Sequence, residues 1–142
     1  RWVERDGLLS TLQQLEVGSI AFTPLAQGLL TDKYLNKIPL NSRATQGKSL
    51  DKKLISKNMI TKLTKLNDIA VSRSQSLAQM ALAWVLREQR ITTALIGASS
   101  PEQILDCVGA IENLEFSAAE LNEIDCYAKG ESLNLWAESA EL

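Results

Sequence analysis

The sequence contains no histidine and only two cysteines, Cys107 and Cys126. A zinc site ordinarily draws its ligands from cysteine, histidine and carboxylate, so this inventory predicts no metal centre. Two isolated cysteines do not make a disulfide framework; they are expected as reduced thiols packed inside a cytoplasmic protein. No apolar run approaches the length needed to cross a bilayer, and no signal-peptide pattern opens the chain. An excess of basic charge is also missing. Fifteen Lys and Arg stand against seventeen Asp and Glu, a net charge of -2 with the signs mixed along the chain. A nucleic-acid surface needs clustered basic residues, so neither nucleic acid nor membrane is an expected partner.

What is present is ordinary globular material. The 142 residues, 45% apolar and 23% charged, are enough for one domain with a real core. Leu8, Leu9, Leu12 and Leu15 give helix spacing over Glu4 to Leu15. Val17 to Phe22 is short, partly β-branched and stopped by Pro24, and reads as a buried strand. Residues 23–50 have little periodicity after Leu30, and a loop of that length is uncommon unless it has a job. Ile55, Met59, Leu63, Leu66 and Ala70 predict a helix over Lys52 to Val71. Ser76 to Gln79 is a capping box; it opens a helix to about Glu88 with Leu77, Met80, Ala81, Trp84 and Val85 on its core face. Thr92 to Gly97 is a second buried strand.

Ser100, Pro101 and Gln103 then supply three agreeing helix-start signals. The face of that helix is Ile104, Leu105, Val108 and Ile111. Ser117 and Glu120 cap a last helix to about Ala128, whose flanking Glu112, Glu115, Glu120 and Glu123 read as solvated surface. Alternating strands and helices signal a parallel sheet covered by helices. Two strands cannot complete such a sheet, and a barrel of this type needs eight strands and roughly 250 residues. With Arg1 rather than methionine in first place, the chain reads as the end of something larger.

Two segments carry chemistry. Phe22 to Leu30, with Lys33 and Arg43 beyond it, follows the first strand, where functional loops of parallel barrels gather. Gly28 lets backbone approach a ligand, and the two cations suit a phosphate or pyrophosphate; a turn with solvated charges is the other reading. The second segment, Gly97 to Gln103, lies between a strand and a helix. The unpaired N–H groups and positive dipole end of a helix start suit a phosphate, with Ser99 and Ser100 adding hydroxyls. A well-capped helix and nothing more is the alternative.

Both segments resemble the C-terminal signatures of the aldo-keto reductases. The matching text is Gly18-Ser19-Ile20-Ala21-Phe22-Thr23-Pro24-Leu25-Ala26-Gln27-Gly28-Leu29-Leu30, then Lys33-Tyr34, Ser42-Arg43, Ala78 to Trp84, and Leu95-Ile96-Gly97-Ala98-Ser99. Within the family, these motifs are similar to the branch holding triose phosphate reductases and potassium-channel β subunits, and the tail Leu133-Asn134-Leu135-Trp136 resembles the triose phosphate reductase group in particular. The resemblance implies a TIM (β/α)8 barrel seen from about helix 6 to the C-terminus. Val17 to Phe22 would be strand seven and Thr93 to Gly97 strand eight, and residues 1–142 one C-terminal segment of a single barrel domain.

The resemblance further implies NADPH as cofactor. Phe22 would lie on the nicotinamide side. Thr23, Pro24, Leu25, Ala26 and Gly28 would line the pyrophosphate, with Lys33 on phosphate and Arg43 near the adenosine. Gly97, Ser99, Gln103 and Asp106 fall where the 2′-phosphate and adenine are gripped. Cys107 stands where the family carries an adenine-binding asparagine, which predicts weaker adenine binding. Thr23 replaces a common serine, and Asp32 a common glycine. Trp136 either closes over the substrate pocket or anchors the C-terminus.

The family's tetrad of aspartate, tyrosine, lysine and histidine lies in earlier strands, so no catalytic residue is expected here; Tyr34 and Tyr127 match no tetrad position and are expected to be structural. The intact protein, a homo-oligomer, would reduce small aldehydes or ketones, triose phosphate aldehydes or methylglyoxal among them. A cofactor-sensing subunit, or an inactive truncated remnant, is the alternative. The chain alone is therefore expected to show no carbonyl-dependent oxidation of NADPH in a spectrophotometric assay; measurable turnover would place a catalytic group within these residues.

Overall fold

A computed structural model describes residues 2–35, 38, 40, 45 and 55–128. Two short helices, α1 (Trp2–Arg5) and α2 (Leu8–Gln14), precede strand β1 (Ile20–Phe22). Single 3-10 turns come next at Ala26–Gly28 and Asp32–Tyr34. Helices α3 (Lys57–Ser72) and α4 (Leu77–Leu86) lead to strand β2 (Thr93–Leu95). Helix α5 (Pro101–Val108), a 3-10 turn at Gly109–Glu112 and helix α6 (Ala118–Ala128) complete the order.

Local chemistry explains most of the boundaries. The Ser56 hydroxyl accepts the Met59 amide at 3.1 Å and starts α3. At α4 the expected capping box is complete: Ser76 Oγ accepts the Gln79 amide at 3.1 Å, and Gln79 Oε1 accepts the Ser76 amide at 2.9 Å. Ser117 and Glu120 repeat it at α6, at 3.2 and 2.7 Å. Pro101 occupies the first turn of α5 behind the Ser100 cap. The single helix expected over Glu4 to Leu15 is instead two, because Gly7 adopts φ +81°. That left-handed residue breaks the ladder, and its carbonyl accepts both the amide and the hydroxyl of Thr11.

The core lies among the helices. Ile55, Met59, Leu63, Leu66 and Ala70, the stripe expected on α3, are all buried. Leu66, Ile69 and Ala70 pack with Leu77 and Met80 of α4 and Ile124 of α6, while Leu29, Tyr34 and Ile55 form a second cluster under the loop after β1. Trp84 is half-buried against the first cluster. Arg87 stacks over its ring at 3.7 Å and pairs with Glu4 at 2.5 Å, tying α1 to the end of α4.

Arg73, 8% exposed, joins the pieces. Its guanidinium donates to Gln75 Oε1 (2.9 Å), Glu120 Oε1 (2.6 Å) and the carbonyls of Asn113 (3.2 Å) and Glu115 (2.9 Å). It also lies 3.7 Å from the centroid of the Phe116 ring. Glu120, expected as solvated surface, is thus held by both a cap and an ion pair.

Three further expectations are corrected. The strands are not buried on both faces: Ile20, Phe22 and Leu95 are 66%, 65% and 62% exposed, while Ala21 and Ala94 are half-buried. Helix α4 packs against β2, while the other side of the sheet stays largely exposed among the described residues. The face expected on α5 is also exposed, at Ile104, Leu105, Val108 and Ile111. In both places the periodicity is real and its covering partner is not among the described residues. Of the cysteines, both are free, but Cys126 is exposed rather than packed.

Replacing Arg73 by Met removes a donor shared by the Gln75 carboxamide, the Glu120 carboxylate and the Asn113 and Glu115 carbonyls, and is expected to lower stability by roughly 3 kcal/mol in urea unfolding. Acid should act through the same node. The Ser117 hydroxyl foremost, then its amide, with Arg73 adding, holds the Glu120 carboxyl below its usual 4.5, while burial opposes this. The unfolded chain lacks these partners. The contribution is therefore complete above about pH 4.5 and is lost as pH falls through the lower folded value. Glu120→Gln should flatten the acid limb of a stability–pH curve.

Candidate functional site

Strands β1 and β2 pair in parallel, Ile20 with Thr93, Ala21 with Ala94 and Phe22 with Leu95. A clasp at their start sets this register. Ser19 accepts the amides of Thr92 and Thr93 on its carbonyl at 3.0 and 3.2 Å, and its own amide donates to Thr92 Oγ1 at 2.9 Å. Its hydroxyl donates to the Arg90 carbonyl at 2.7 Å. Gly18 lets the strands close here, since a Cβ would sit 3.2 Å from Thr92 Oγ1. Parallel pairing puts the C-terminal ends of both strands side by side. The loops that begin at Thr23 and Ile96 therefore leave the sheet at the same end.

The first loop carries an unusual backbone. Thr23, Ala26, Gln27 and Gly28 have φ of +55°, +45°, +59° and +95°. Three of these are non-glycine residues in a region that costs each on the order of 1 kcal/mol. Such strain persists where the surroundings over-determine it, and it clusters at ligand clamps. The loop holds itself by Ala26 N–H to Thr23 O, Gly28 and Leu30 N–H to Leu25 O, and Leu29 N–H to Ala26 O. Buried Leu29 and Tyr34 pin it from below. Thr31 Oγ1 donates to the Gly28 carbonyl at 2.8 Å and accepts the Lys33 amide at 3.3 Å. Lys33 and Asp32 are both exposed at the following turn. In front of Gly28 an added Cβ would meet nothing within 4 Å, so φ and not crowding calls for glycine.

Sequence reading left Gln27 out of the site. Its Oε1 is buried with no hydrogen-bond partner among the described residues. The available signal was a polar residue between Ala26 and Gly28 at a turn.

The second loop is more self-contained. Gln103 Oε1 accepts the Ser99 amide at 2.9 Å and the Ser99 hydroxyl at 3.2 Å. Ser100 Oγ accepts the Gln103 amide at 3.5 Å. The Glu102 carboxyl, fully exposed, is held below its usual value by the Ser100 hydroxyl and then by its own amide. Gly97, like Gly28, faces open space.

Asp106 turns toward α4 instead of toward this loop. Its Oδ2 accepts from Ser76 Oγ at 3.2 Å, and its carbonyl from Gln79 Nε2 at 3.0 Å. Burial and the charge of Asp106 push the Cys107 thiol up. Pro24, Leu25 and Ala26 are half-buried within the first loop, and Phe22 ends β1 at its rim. Arg43 and Trp136 lie outside the described residues. Among the described residues no cluster suited to a metal ion occurs, and no helix is long and apolar enough to cross a membrane.

The model of the aldo/keto reductase family matches residues 1–129. The chain is similar to L-glyceraldehyde 3-phosphate reductase of Escherichia coli strain K12, at 49% identity over 145 aligned residues, covering 99% of this chain and 42% of the relative. The same reductase of Escherichia coli O157:H7 is 48% identical with the same coverage. The chain thus spans about two fifths of the length of these relatives.

Thr92→Val removes the side-chain acceptor of the clasp and keeps the shape. It is expected to cost about 1 kcal/mol in urea unfolding and to speed hydrogen exchange at Ser19; unchanged exchange there would show that the register is set elsewhere.

Proposed function

The chain belongs to the aldo/keto reductase family, and from that premise we propose that residues 1–142 are the C-terminal segment of a (β/α)8 barrel that grips the phosphates of NADPH. The observation that carries this reading is the parallel pairing of β1 and β2, because it brings both candidate phosphate loops to one end of the sheet. The protein that contains the segment would reduce small aldehydes or ketones, with triose phosphate aldehydes and methylglyoxal as the first substrates to try.

The residues present fit the cofactor on three counts. Open space lies in front of Gly28 and Gly97. Lys33 holds an exposed cation beyond the strained turn, and Ser99 an exposed hydroxyl beside a helix start. That helix start, α5, offers the positive end of its dipole. When bound, NADPH supplies a hydride to the carbonyl carbon of the substrate. This chain's part is to hold and orient. Phe22 would flank the nicotinamide side, and Thr23 to Gly28 would follow the pyrophosphate with Lys33 neutralising its charge. Gly97, Ser99 and Gln103 would meet the 2′-phosphate and adenine end, with Arg43 near it. Asp106 would act one step back by fixing α5 against α4, and Trp136 would border the substrate.

Two features would set the affinity. Gln103 now takes both Ser99 donors, so a phosphate at that position competes with the carboxamide for them. Glu102 places a carboxylate in the same first turn, where it opposes an incoming anion. The Glu102 effect is screened by salt.

The test is a fluorescence titration of the chain with NADPH and with 2′,5′-ADP. Lys33→Ala should weaken NADPH binding at least fivefold, whereas Glu102→Gln should strengthen 2′,5′-ADP binding about twofold at low salt and leave it unchanged at high salt. Affinity indifferent to Lys33 would remove the phosphate assignment. For the longer protein, methylglyoxal-dependent NADPH consumption supports a reductase; tight cofactor binding without turnover would assign a sensor instead.

A further inference from the structure

Helix α5 is held by polar groups more than by a buried face. None of its side chains is buried, and only Cys107 is half-buried. The nearest buried anchor is Ala110, in the turn after the helix. What ties α5 to α4 centres on one carboxamide. Gln79 Oε1 accepts the Ser76 amide at 2.9 Å and so caps the start of α4, while Gln79 Nε2 donates to the Asp106 carbonyl at 3.0 Å. That carbonyl lies in the last turn of α5, where carbonyls lack partners within the helix. The Ser76 hydroxyl makes the same bridge: it accepts the Gln79 amide at 3.1 Å and donates to Asp106 Oδ2 at 3.2 Å. One side chain thus serves the start of one helix and the end of the other.

Gly109 completes the joint. Its φ of -56° suits any residue, so backbone conformation does not call for glycine there. Room does: an added Cβ would lie 2.5 Å from Gln79 Nε2 and 3.5 Å from Gln79 Cδ. The obstructed atoms end a flexible side chain, so a larger residue would push the carboxamide aside without breaking the fold.

We propose that Gln79, with Ser76 and Gly109, positions the grip on the cofactor's 2′-phosphate: the joint at the end of α5 sets where the first turn of the same helix presents Ser99 and Gln103. The inference rests on the reading of that turn as the 2′-phosphate and adenine end. Eight residues of helix span about 12 Å and move as one body, so a shift at Asp106 re-aims the first turn. The effect falls on discrimination between cofactors, because the loop after β1 shares none of these hydrogen bonds.

The experiment is a fluorescence titration of the chain with NADPH and with NADH, which differ only in the 2′-phosphate, joined to amide hydrogen exchange. Gln79→Glu keeps an oxygen for the Ser76 amide, since glutamate serves a capping box as well as glutamine does, but it removes the donor to Asp106. Gly109→Ala displaces the same donor without adding charge. Each variant should lower the preference for NADPH over NADH about fivefold, the worth of one hydrogen bond, and leave the circular dichroism unchanged. Exchange at the Gln103 amide should become faster in both. The loss should persist at high salt, where the field of the new glutamate is screened. Equal weakening of both cofactors would mark a loss of folded protein and overturn the positioning role, as would unchanged exchange at Gln103. No preference in the unaltered chain removes the 2′-phosphate reading, and the positioning role with it. A preference that both variants keep removes the positioning role alone.

Discussion

The placement of both candidate loops depends on the parallel pairing of two three-residue strands. Parallel pairing needs a long crossover, and here the crossover contains two 3-10 turns and helices α3 and α4. It also fixes direction: both strands run toward the same end, so the loops after them leave together. An antiparallel pairing would have put Gly28 and Ser99 at opposite ends. The clasp of Ser19 with Thr92 and Arg90 holds this register through hydroxyls as well as backbone.

The helices stabilise what the strands arrange. Buried apolar residues on α3, α4 and α6 form the main cluster, and Arg73 fastens the turn between α3 and α4 to the segment 113–120. A buried guanidinium is favourable only when its donors are met, and this one has a carboxylate, a carboxamide and two carbonyls. It therefore fixes one arrangement of the helices more than it adds to their number of contacts. Helix α4 packs on one side of the sheet, while the sheet's other face and the apolar stripe that begins on α5 remain exposed.

The two loops differ in how ready they are for an anion. The one after β1 keeps three non-glycine residues at positive φ and leaves the Gln27 carboxamide oxygen buried without a partner among the described residues. It holds its shape at a local cost. The one after β2 satisfies its own donors, with Gln103 on Ser99 and Ser100 on the helix start. An anion arriving there has to replace existing hydrogen bonds, whereas at the first loop it meets a strained turn and an exposed Lys33.

Short-range features were legible in the sequence. The capping boxes at Ser76 and Ser117, the start of α5 at Ser100-Pro101 and the buried stripe of α3 all rest on partners three or four residues apart. The family motifs likewise marked both loops. What failed was anything set by distant partners. Alternation in Ile20 to Phe22 and spacing in Ile104 to Ile111 say that a face wants covering, but burial depends on which atoms arrive from elsewhere. Asp106 was placed on a helix correctly, yet only the packing of α5 on α4 turned its carboxylate to Ser76. Arg73 carried no sequence signal, because its four partners lie 2 to 47 positions away. Sequence alone thus determined the capped starts of α4, α5 and α6, strand candidates and loop chemistry, since those are local. The tertiary structure decided which loops are neighbours and which apolar faces stay open, since those depend on contacts between residues far apart in the chain.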